Sequence, residues 1–437
     1  MSQAERYLRD HAVVPPEAAS LPDPPSDLRI CVVIPAYDEL DRIEAVLDSL
    51  EKATDGEQPV FETIVCVNQA ETAPPEIARA NSKTLELLDD KTTSYPLHVL
   101  DRASEGRRFP RDAAGVGEAR RRLMDLAMQR LTKAGHPRDG LIACLDGDSP
   151  AEPGYLDAIV DEMADAGEEA LAGVCRYRHP IPDDPEHARA IVTYETWMRY
   201  FELGLHHIET PYAYQPIGSC MVLTTHGYAL ADGVPTLEAL SDFYLLQKVA
   251  KVGGFGAVRR LHEPVVRPSA RPSDRVPRGT GPSVQRTMHE SDDRFENVEP
   301  PTAFHHLHVW LDAVPAGFDS PDLLREKASD PLRTFLADHG ARDVLPKLRR
   351  NAPDAEHFAE HVHRWFDSLK IVKYANQRAR SNGRTWIFEA LRQLLTLAGH
   401  DALAAQVPDS KRSATTLDQR ISALELLREH ARDATEA

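Results

Sequence analysis

Gly140-Leu141-Ile142-Ala143-Cys144-Leu145-Asp146-Gly147-Asp148 is the stretch on which the reading of this chain turns. The apolar run from Leu141 to Leu145 shows no alternation, the pattern of a strand covered on both faces, as in a parallel sheet. It stops at two carboxylates one residue apart. At a strand terminus both can turn toward one point, and oxygen ligands of that kind suit Mg2+ or Mn2+, which can also hold a diphosphate. Open α/β sheets gather their ligands at the carboxyl ends of strands, which favours a metal role for Asp146 and Asp148. A solvated Asp-Gly turn would use the same residues, and the stretch alone leaves both open.

Working outward, the same pattern recurs upstream. Ile30-Cys31-Val32-Val33-Ile34 is another buried strand, ending at Pro35-Ala36-Tyr37-Asp38-Glu39. A helix follows with Ile43, Val46, Leu47 and Leu50 on one face and Asp41 placed to cap its start. Glu62 to Val67 reads as a second strand, ending at Asn68; a helix carrying Ile77, Leu85, Leu87 and Leu88 comes next, then a short strand, Leu97 to Leu100. From Gly115 a helix runs through Ala119, Leu123, Leu126 and Ala127 into the deciding strand. Strand and helix alternate four times in roughly 150 residues, which predicts a parallel, nucleotide-binding α/β sheet.

Downstream the pattern loosens. Leu171 to Cys175 and Ser219 to Thr224 read as strands, Ala188 to Leu205 and Glu238 to Lys251 as helices, and Phe255-Gly256-Ala257-Val258 as a strand that His262 follows. Residues 264–300 are rich in Pro, Arg, Ser, Gly and Asp, and read as one long loop, mobile or functional. From about Pro321 the pattern is helical with no strand signal. The expected organisation is an N-terminal arm over 1–28, an α/β domain over 29–265, a basic loop or lid with its connection over 266–320, and a helical C-terminal region over 321–437.

Bulk properties exclude several classes. The 437 residues are 42% hydrophobic and 27% charged, enough for a large core, and the formal net charge of −18 argues against nucleic-acid binding and against docking on an anionic membrane face. No apolar run approaches the length of a transmembrane segment, and the charged N-terminus lacks the apolar core of a signal peptide. Cys31, Cys66, Cys144, Cys175 and Cys220 lack metal-ligand spacing, and three sit in apolar runs, so a reducing cytoplasm is expected.

These segments together resemble the family 2 inverting glycosyltransferases of GT-A fold, a Rossmann-like nucleotide-diphospho-sugar transferase architecture. Val32-Val33-Ile34-Pro35-Ala36-Tyr37-Asp38-Glu39 is similar to the family's first strand and its "PxYNE" loop. Asn68 stands where the family often has an Asp that meets the base. Gly115-Val116-Gly117-Glu118-Ala119-Arg120 is similar to "G-x-x-x-AR", whose Arg lies near the nucleotide, and Asp146-Gly147-Asp148 falls at the metal-binding Asp-x-Asp. Pro216-Ile217-Gly218-Ser219-Cys220, Gly233 and Leu237 through Leu246 are similar to the acceptor half. There a Glu-Asp pair supplies the catalytic base, and here the pair reads Ser241-Asp242. The resemblance covers residues 28–265.

What it implies is transfer of a sugar from a UDP- or GDP-sugar to an acceptor hydroxyl with inversion. Asp242 would be the general base, and Mn2+ or Mg2+ on Asp146 and Asp148 would neutralise the leaving diphosphate. Arg120, with Arg107 or Arg108, would add charge near the phosphates. Pro35, Ala36 and Tyr37 would shape the nucleoside pocket, with Glu39, Asn68 and Asp146 offering polar atoms to the donor. His262 is a candidate third metal ligand on the same resemblance, beside a purely structural role.

Arg267, Arg271, Arg275 and Arg278 concentrate in an otherwise acidic chain. Guanidinium forks suit phosphates and carboxylates, so the segment reads either as a lid over the diphosphate or an anionic acceptor, or as a solvated basic loop. His305, His306 and His308 lack a carboxylate or cysteine at ligand spacing and read as a packed or surface segment. Two other functions stay in view: a nucleotidyltransferase, whose Gly-rich basic loop after the first strand is missing here, and a non-catalytic nucleotide-sugar-binding protein.

Overall fold

The computed structural model describes residues 1–56, 59–111, 114–235, 240–275, 279–289, 293–409 and 414–433. In chain order its first elements are α1 (Gln3–Asp10), β1 (Ile30–Ala36), α2 (Ile43–Leu50), β2 (Phe61–Asn68), α3 (Pro75–Asp90), β3 (Leu97–Arg102), α4 (Val116–Lys133) and β4 (Leu141–Cys144). Then come α5 (Tyr155–Asp165), β5 (Ala172–Tyr177), α6 (Pro185–His207), β6 (Met221–Thr224), α7 (Thr225–Leu230), α8 (Ser241–Gly253) and β7 (Val258–Val266). After them lie α9 (Thr280–His289), β8 (Asn297–Val298) and α10 (Pro301–Asp312), further helices, and a last short strand, β9 (Thr385–Trp386).

The chain folds as two compact units, residues 1–180 with 216–282 and residues 181–215 with 283–437. The first holds a seven-stranded sheet in the order β3-β2-β1-β4-β6-β5-β7. β1 runs parallel to β2 and β4, and β2 parallel to β3. β6 is antiparallel to both neighbours, and β7 is parallel to β5. Every residue of β1 and β4 is buried, as their unbroken apolar runs require. α4 closes over this part of the sheet with Leu123, Leu126, Ala127 and Leu131. The α/β class expected from the deciding stretch is what the chain builds.

The sheet order fixes where a ligand can sit. The path from β1 leads to β2 on one side, whereas β4 pairs with β1 on the other, so a crevice opens between the carboxyl ends of β1 and β4. Because β6 is reversed, its amino end lies at the same sheet edge as the carboxyl ends of β1, β2, β3, β4, β5 and β7. All seven strands therefore deliver a terminus to one edge.

Several local expectations are corrected. Asp41 does not cap α2: Arg42 stands at the N-cap position without a side-chain bond, and the Glu39 carbonyl accepts from Arg42 N and Ile43 N, each at 2.9 Å. The stretch 264–300 is not one loop, since it contains the end of β7, the whole of α9 and β8. His262 does not follow a strand but lies within β7, whose polar Arg259, Arg260 and Glu263 hid its length. A strand does occur after Pro321, because β9 pairs antiparallel with β8.

The second unit is helical apart from that pair. The helix Leu417–Asp433 packs on α6 through a buried pair, Arg428 Nη2 to Glu195 Oε2 at 2.5 Å, and Arg420 donates to Thr193 at 3.2 Å. Phe304 of α10 lies over Gly204, where a Cβ would meet its ring at 2.4 Å. His305 and His308 stack with His207, at ring separations of 6.3 and 4.5 Å, and His306 lies 3.1 Å from the Tyr374 hydroxyl. The segment is packed, and burial with the neighbouring imidazoles holds His207 down to about 4.

In the first unit α1 is fixed by Tyr7, whose hydroxyl donates to the fully buried Asp125 at 2.8 Å alongside that of Tyr228 at 2.8 Å. All five cysteines are buried and unpaired. Among the described residues no helix is long and apolar enough to cross a membrane.

Candidate functional site

Asp146 and Asp148 leave the end of β4 in a tight turn closed by Ser149 N to Asp146 O at 3.0 Å. The turn is only partly open to solvent: the Asp148 side chain is 13% exposed and Gly147 is buried, whereas the Asp146 side chain is 37% exposed. Gly147 is required by close approach, because a Cβ there would lie 2.8 Å from Glu39 Cγ. Glu39, at the end of the β1 loop, is thereby packed against the Asp-Gly-Asp turn. That loop turns sharply at Asp38, whose φ is 59° and whose N–H donates to Asn81 Oδ1 at 2.9 Å.

Two guanidiniums meet these carboxylates. Arg271 Nη2 lies 2.5 Å from Glu39 Oε1 and 3.1 Å from Asp148 Oδ2. Arg275 Nη1 lies 2.6 Å from Glu39 Oε1, its Nη2 3.6 Å from Asp148 Oδ2, and its Nη1 donates to Tyr37 O at 2.6 Å. Glu39 Oε2 is buried without a hydrogen-bond partner. Burial pushes the Glu39 carboxyl up to about 8, with Asp148 adding to the shift and Arg275 opposing it.

A third guanidinium holds the other carboxylates. Arg120, in α4 and 3% exposed, donates from Nη2 to Asp146 Oδ1 at 2.9 Å and from Nη1 to Ser241 Oγ at 3.4 Å. It lies over Gly218, where a Cβ would be 2.5 Å from Nη2. Asp242 follows Ser241 at the amino end of α8, where a carboxylate is favoured by the helix dipole. It is half-buried and accepts from Phe243 N at 2.8 Å. Burial raises the Asp146, Asp148 and Asp242 carboxyls above their ordinary range; Arg120 opposes this at Asp146 and Asp242, and Arg275 opposes it at Asp148.

The expected residues thus divide. Glu39, Arg120, Asp146, Asp148 and Asp242 share one edge of the sheet, with Pro35, Ala36 and Tyr37 in the β1 terminus beside them. Asn68 is at the same edge, but its Nδ2 is engaged by Ala36 O at 3.0 Å and Cys66 O at 3.3 Å. Arg107 and Arg108 stay in the loop after β3, on Asp101 at 3.4 Å and Ala103 O at 3.0 Å. His262 donates its backbone N–H to Glu162 at 2.7 Å. Among the described residues no three His, Cys, Asp or Glu side chains are grouped to hold a metal ion, so His262 does not join the aspartate pair. Residues 237–239 of the acceptor-like segment and Arg278 of the arginine stretch lie outside the described residues.

Sequence reasoning assigned no role to Asn81, and none of its own to Gly147, Gly218 or Ser241, although these three stand within the motifs quoted above. Asn81 had a signal: Ile77, Asn81, Thr84 and Leu88 fall on one face of α3, and a fully buried Asn on such a face needs partners. It finds them in Asp38 N, Asn68 O and Gln69 Oε1.

The donor set fits a divalent cation of one kind only. Two carboxylates one residue apart suit an ion that completes its shell with water and substrate phosphates, as Mg2+ and Mn2+ do. They do not make a closed, all-protein cage.

No protein-family model matches this chain, and no curated protein matches it. Among solved structures it is similar to Staphylococcus aureus TarS 1–349 in complex with UDP-GlcNAc, with 12% identity, a TM-score of 0.37, and coverage of 77% of this chain and 91% of that one. It is also similar to glucosyl-3-phosphoglycerate synthase from Mycobacterium tuberculosis in complex with Mn2+, UDP-glucose and phosphoglyceric acid. There the identity is 16%, the TM-score 0.31, and the coverage 59% of this chain and 71% of that one. At these values the likeness assigns neither a substrate nor a residue role.

Proposed function

We propose that the chain is a metal-dependent, inverting glycosyltransferase of GT-A type, acting from a UDP- or GDP-sugar in the cytoplasm. The observation that carries the reading is the linkage through Arg120: one buried guanidinium ties the carboxylate of the Asp-Gly-Asp turn to the start of the helix that bears Asp242. A donor-side group and an acceptor-side base are thereby held together at the sheet edge where all seven strands present a terminus. The unpaired thiols suit a reducing compartment.

In this reading Asp146 and Asp148 hold Mn2+ or Mg2+, which neutralises the leaving nucleoside diphosphate. The chain's own residues do the rest. The crevice between β1 and β4 takes the nucleoside against Pro35, Ala36 and Tyr37. As the acceptor oxygen forms its bond to the anomeric carbon, the bond from that carbon to the diphosphate oxygen breaks, and the acceptor proton passes to Asp242. Burial makes the Asp242 carboxylate a better proton acceptor than an exposed one, while the charge of Arg120 opposes that rise. Arg120 thus bonds Asp146 directly and reaches Asp242's neighbour Ser241.

Titration calorimetry with UDP, GDP and their sugars, with and without Mn2+, tests the reading. Metal-dependent binding of one nucleotide that disappears in Asp148→Ala would support it. Binding of nothing in any condition would leave a protein that kept the sheet without the chemistry.

A further inference from the structure

The arginines that close over the aspartate turn do not behave as a solvated loop. Their segment is pinned at its start, where Arg267 N donates to Pro150 O at 2.9 Å and the Arg267 side chain pairs with Glu152 at 2.8 Å. It is pinned again where Ser273 N reaches Gly281 O at 3.3 Å, and a Cβ on Gly281 would lie 2.8 Å from Ser273 Cβ. Ser269 and Ser273 turn the backbone ahead of each arginine, accepting from Arg271 N and Arg275 N at 3.3 Å each. The result is a strap with two guanidiniums on its inner side, 18% and 23% exposed, both aimed at Glu39 and Asp148.

Two positive charges therefore stand where a doubly charged ion would bind. Asp148 Oδ2 has guanidinium nitrogens at 3.1 and 3.6 Å. A divalent ion coordinates a carboxylate oxygen at about 2.0–2.2 Å and tolerates no like charge on the same lone pairs. The orphaned Glu39 Oε2 and the partnerless Arg271 Nε show that the pairing is imperfect, and so open to replacement. Resting on the donor-site reading above, we propose that Arg271 and Arg275 are a built-in occupant of the cation site. Mn2+ or Mg2+ and the strap compete for Asp148, and arrival of the ion lifts the strap and frees both guanidiniums for an anionic ligand.

Two readouts test this without measuring turnover. The first is direct calorimetric titration of Mn2+ alone into the wild type and into Arg271→Gln/Arg275→Gln. Loss of two like charges beside the ion should tighten its binding about tenfold or more. The second is limited trypsin digestion of the wild type. The bonds after Arg267 and Arg271 precede proline and resist trypsin, whereas those after Arg275 and Arg278 precede Val276 and Gly279; cleavage after Arg275, identified by fragment mass, reports the strap. Mn2+ should accelerate that cleavage in the wild type and have no effect in Asp148→Asn.

Equal Mn2+ affinity in wild type and double variant, with cleavage unchanged by the ion, would overturn the competition and leave the donor-site reading standing. Tighter binding with unchanged cleavage would overturn it too, by showing repulsion without movement. Failure of Mn2+ to bind either protein would overturn both the competition and the metal dependence.

Discussion

Placing a methyl group at residue 218 is the sharpest way to ask whether Arg120 organises the site. In Gly218→Ala the new Cβ would lie 2.5 Å from Nη2 of Arg120 and 3.0 Å from Cζ and Nη1. Ordinary contact begins near 3.5 Å, so the guanidinium must retreat by on the order of 1 Å. Its 2.9 Å bond to Asp146 would then open to about 3.9 Å, beyond hydrogen-bond length. Losing a charge-assisted bond costs about 1.5–3 kcal/mol, and if the backbone yields instead, overpacking costs about 1–3 kcal/mol.

Because both routes cost alike, the coupling between the two residues decides. In an Arg120→Ala background the methyl group has room, and the Gly218→Ala penalty should fall by at least ~1 kcal/mol. Tryptophan fluorescence cannot read this, since Trp197, Trp310, Trp365 and Trp386 all belong to the second unit. Amide hydrogen exchange of α4 and α8 can, because it measures local opening. Equal penalties in both backgrounds, within about 0.5 kcal/mol, would refute the placement of Arg120 over Gly218.

Three further outcomes are expected. Glu39 is raised to about 8 from an ordinary 4.5, so its contribution to stability is complete below the lower value and is lost as pH rises through the upper one. Between them the slope is about 1.4 kcal/mol per pH unit; Glu39→Gln should gain on the wild type from pH 5 to 8 in calorimetric melts, and parallel profiles would contradict this. Asp242→Asn should lower turnover by about 10²–10⁴ while leaving nucleotide titration intact; lost nucleotide binding would argue against a base. In the wild type the acid limb should lie above the ordinary carboxylate range, because burial raises this group. Tyr7→Phe should cost about 1.5–3 kcal/mol, since a buried carboxylate loses a donor, and should raise hydrogen exchange in α1; unchanged exchange would show that Asp125 does not hold the helix.

What the sequence disclosed follows from where backbone and side chain agree. β1 and β4 were legible because strands buried on both faces must be apolar throughout, and their ends mark the ligand edge. The aspartate turn was legible because its chemistry is local. Arg120 over Gly218 was not: that contact joins residues far apart in the chain, and neither one differs from an ordinary helix arginine or loop glycine. β7 was cut short because its outward residues, Arg259, Arg260 and Glu263, break the apolar run. The short pair β8 and β9 gave no signal, since two residues per strand cannot show a period.

The division of the chain also sets an order of events during its synthesis. α6 is made midway, and although Arg199 on the same helix already meets Glu195, the second partner of that carboxylate is Arg428, 233 residues later. At about 5–20 residues per second the ribosome needs roughly 10–50 s to supply it. Throughout that interval a buried carboxylate, with Ile191, Tyr194 and Met198 on the same helix, has no final covering from the last helix. A nascent chain stalled after residue 282 would hold every strand of the large sheet and an aromatic-rich α6 still without the last helix. Such an intermediate is a natural client for a chaperone, and its lifetime rather than the strength of the finished fold would govern how much protein a cell recovers.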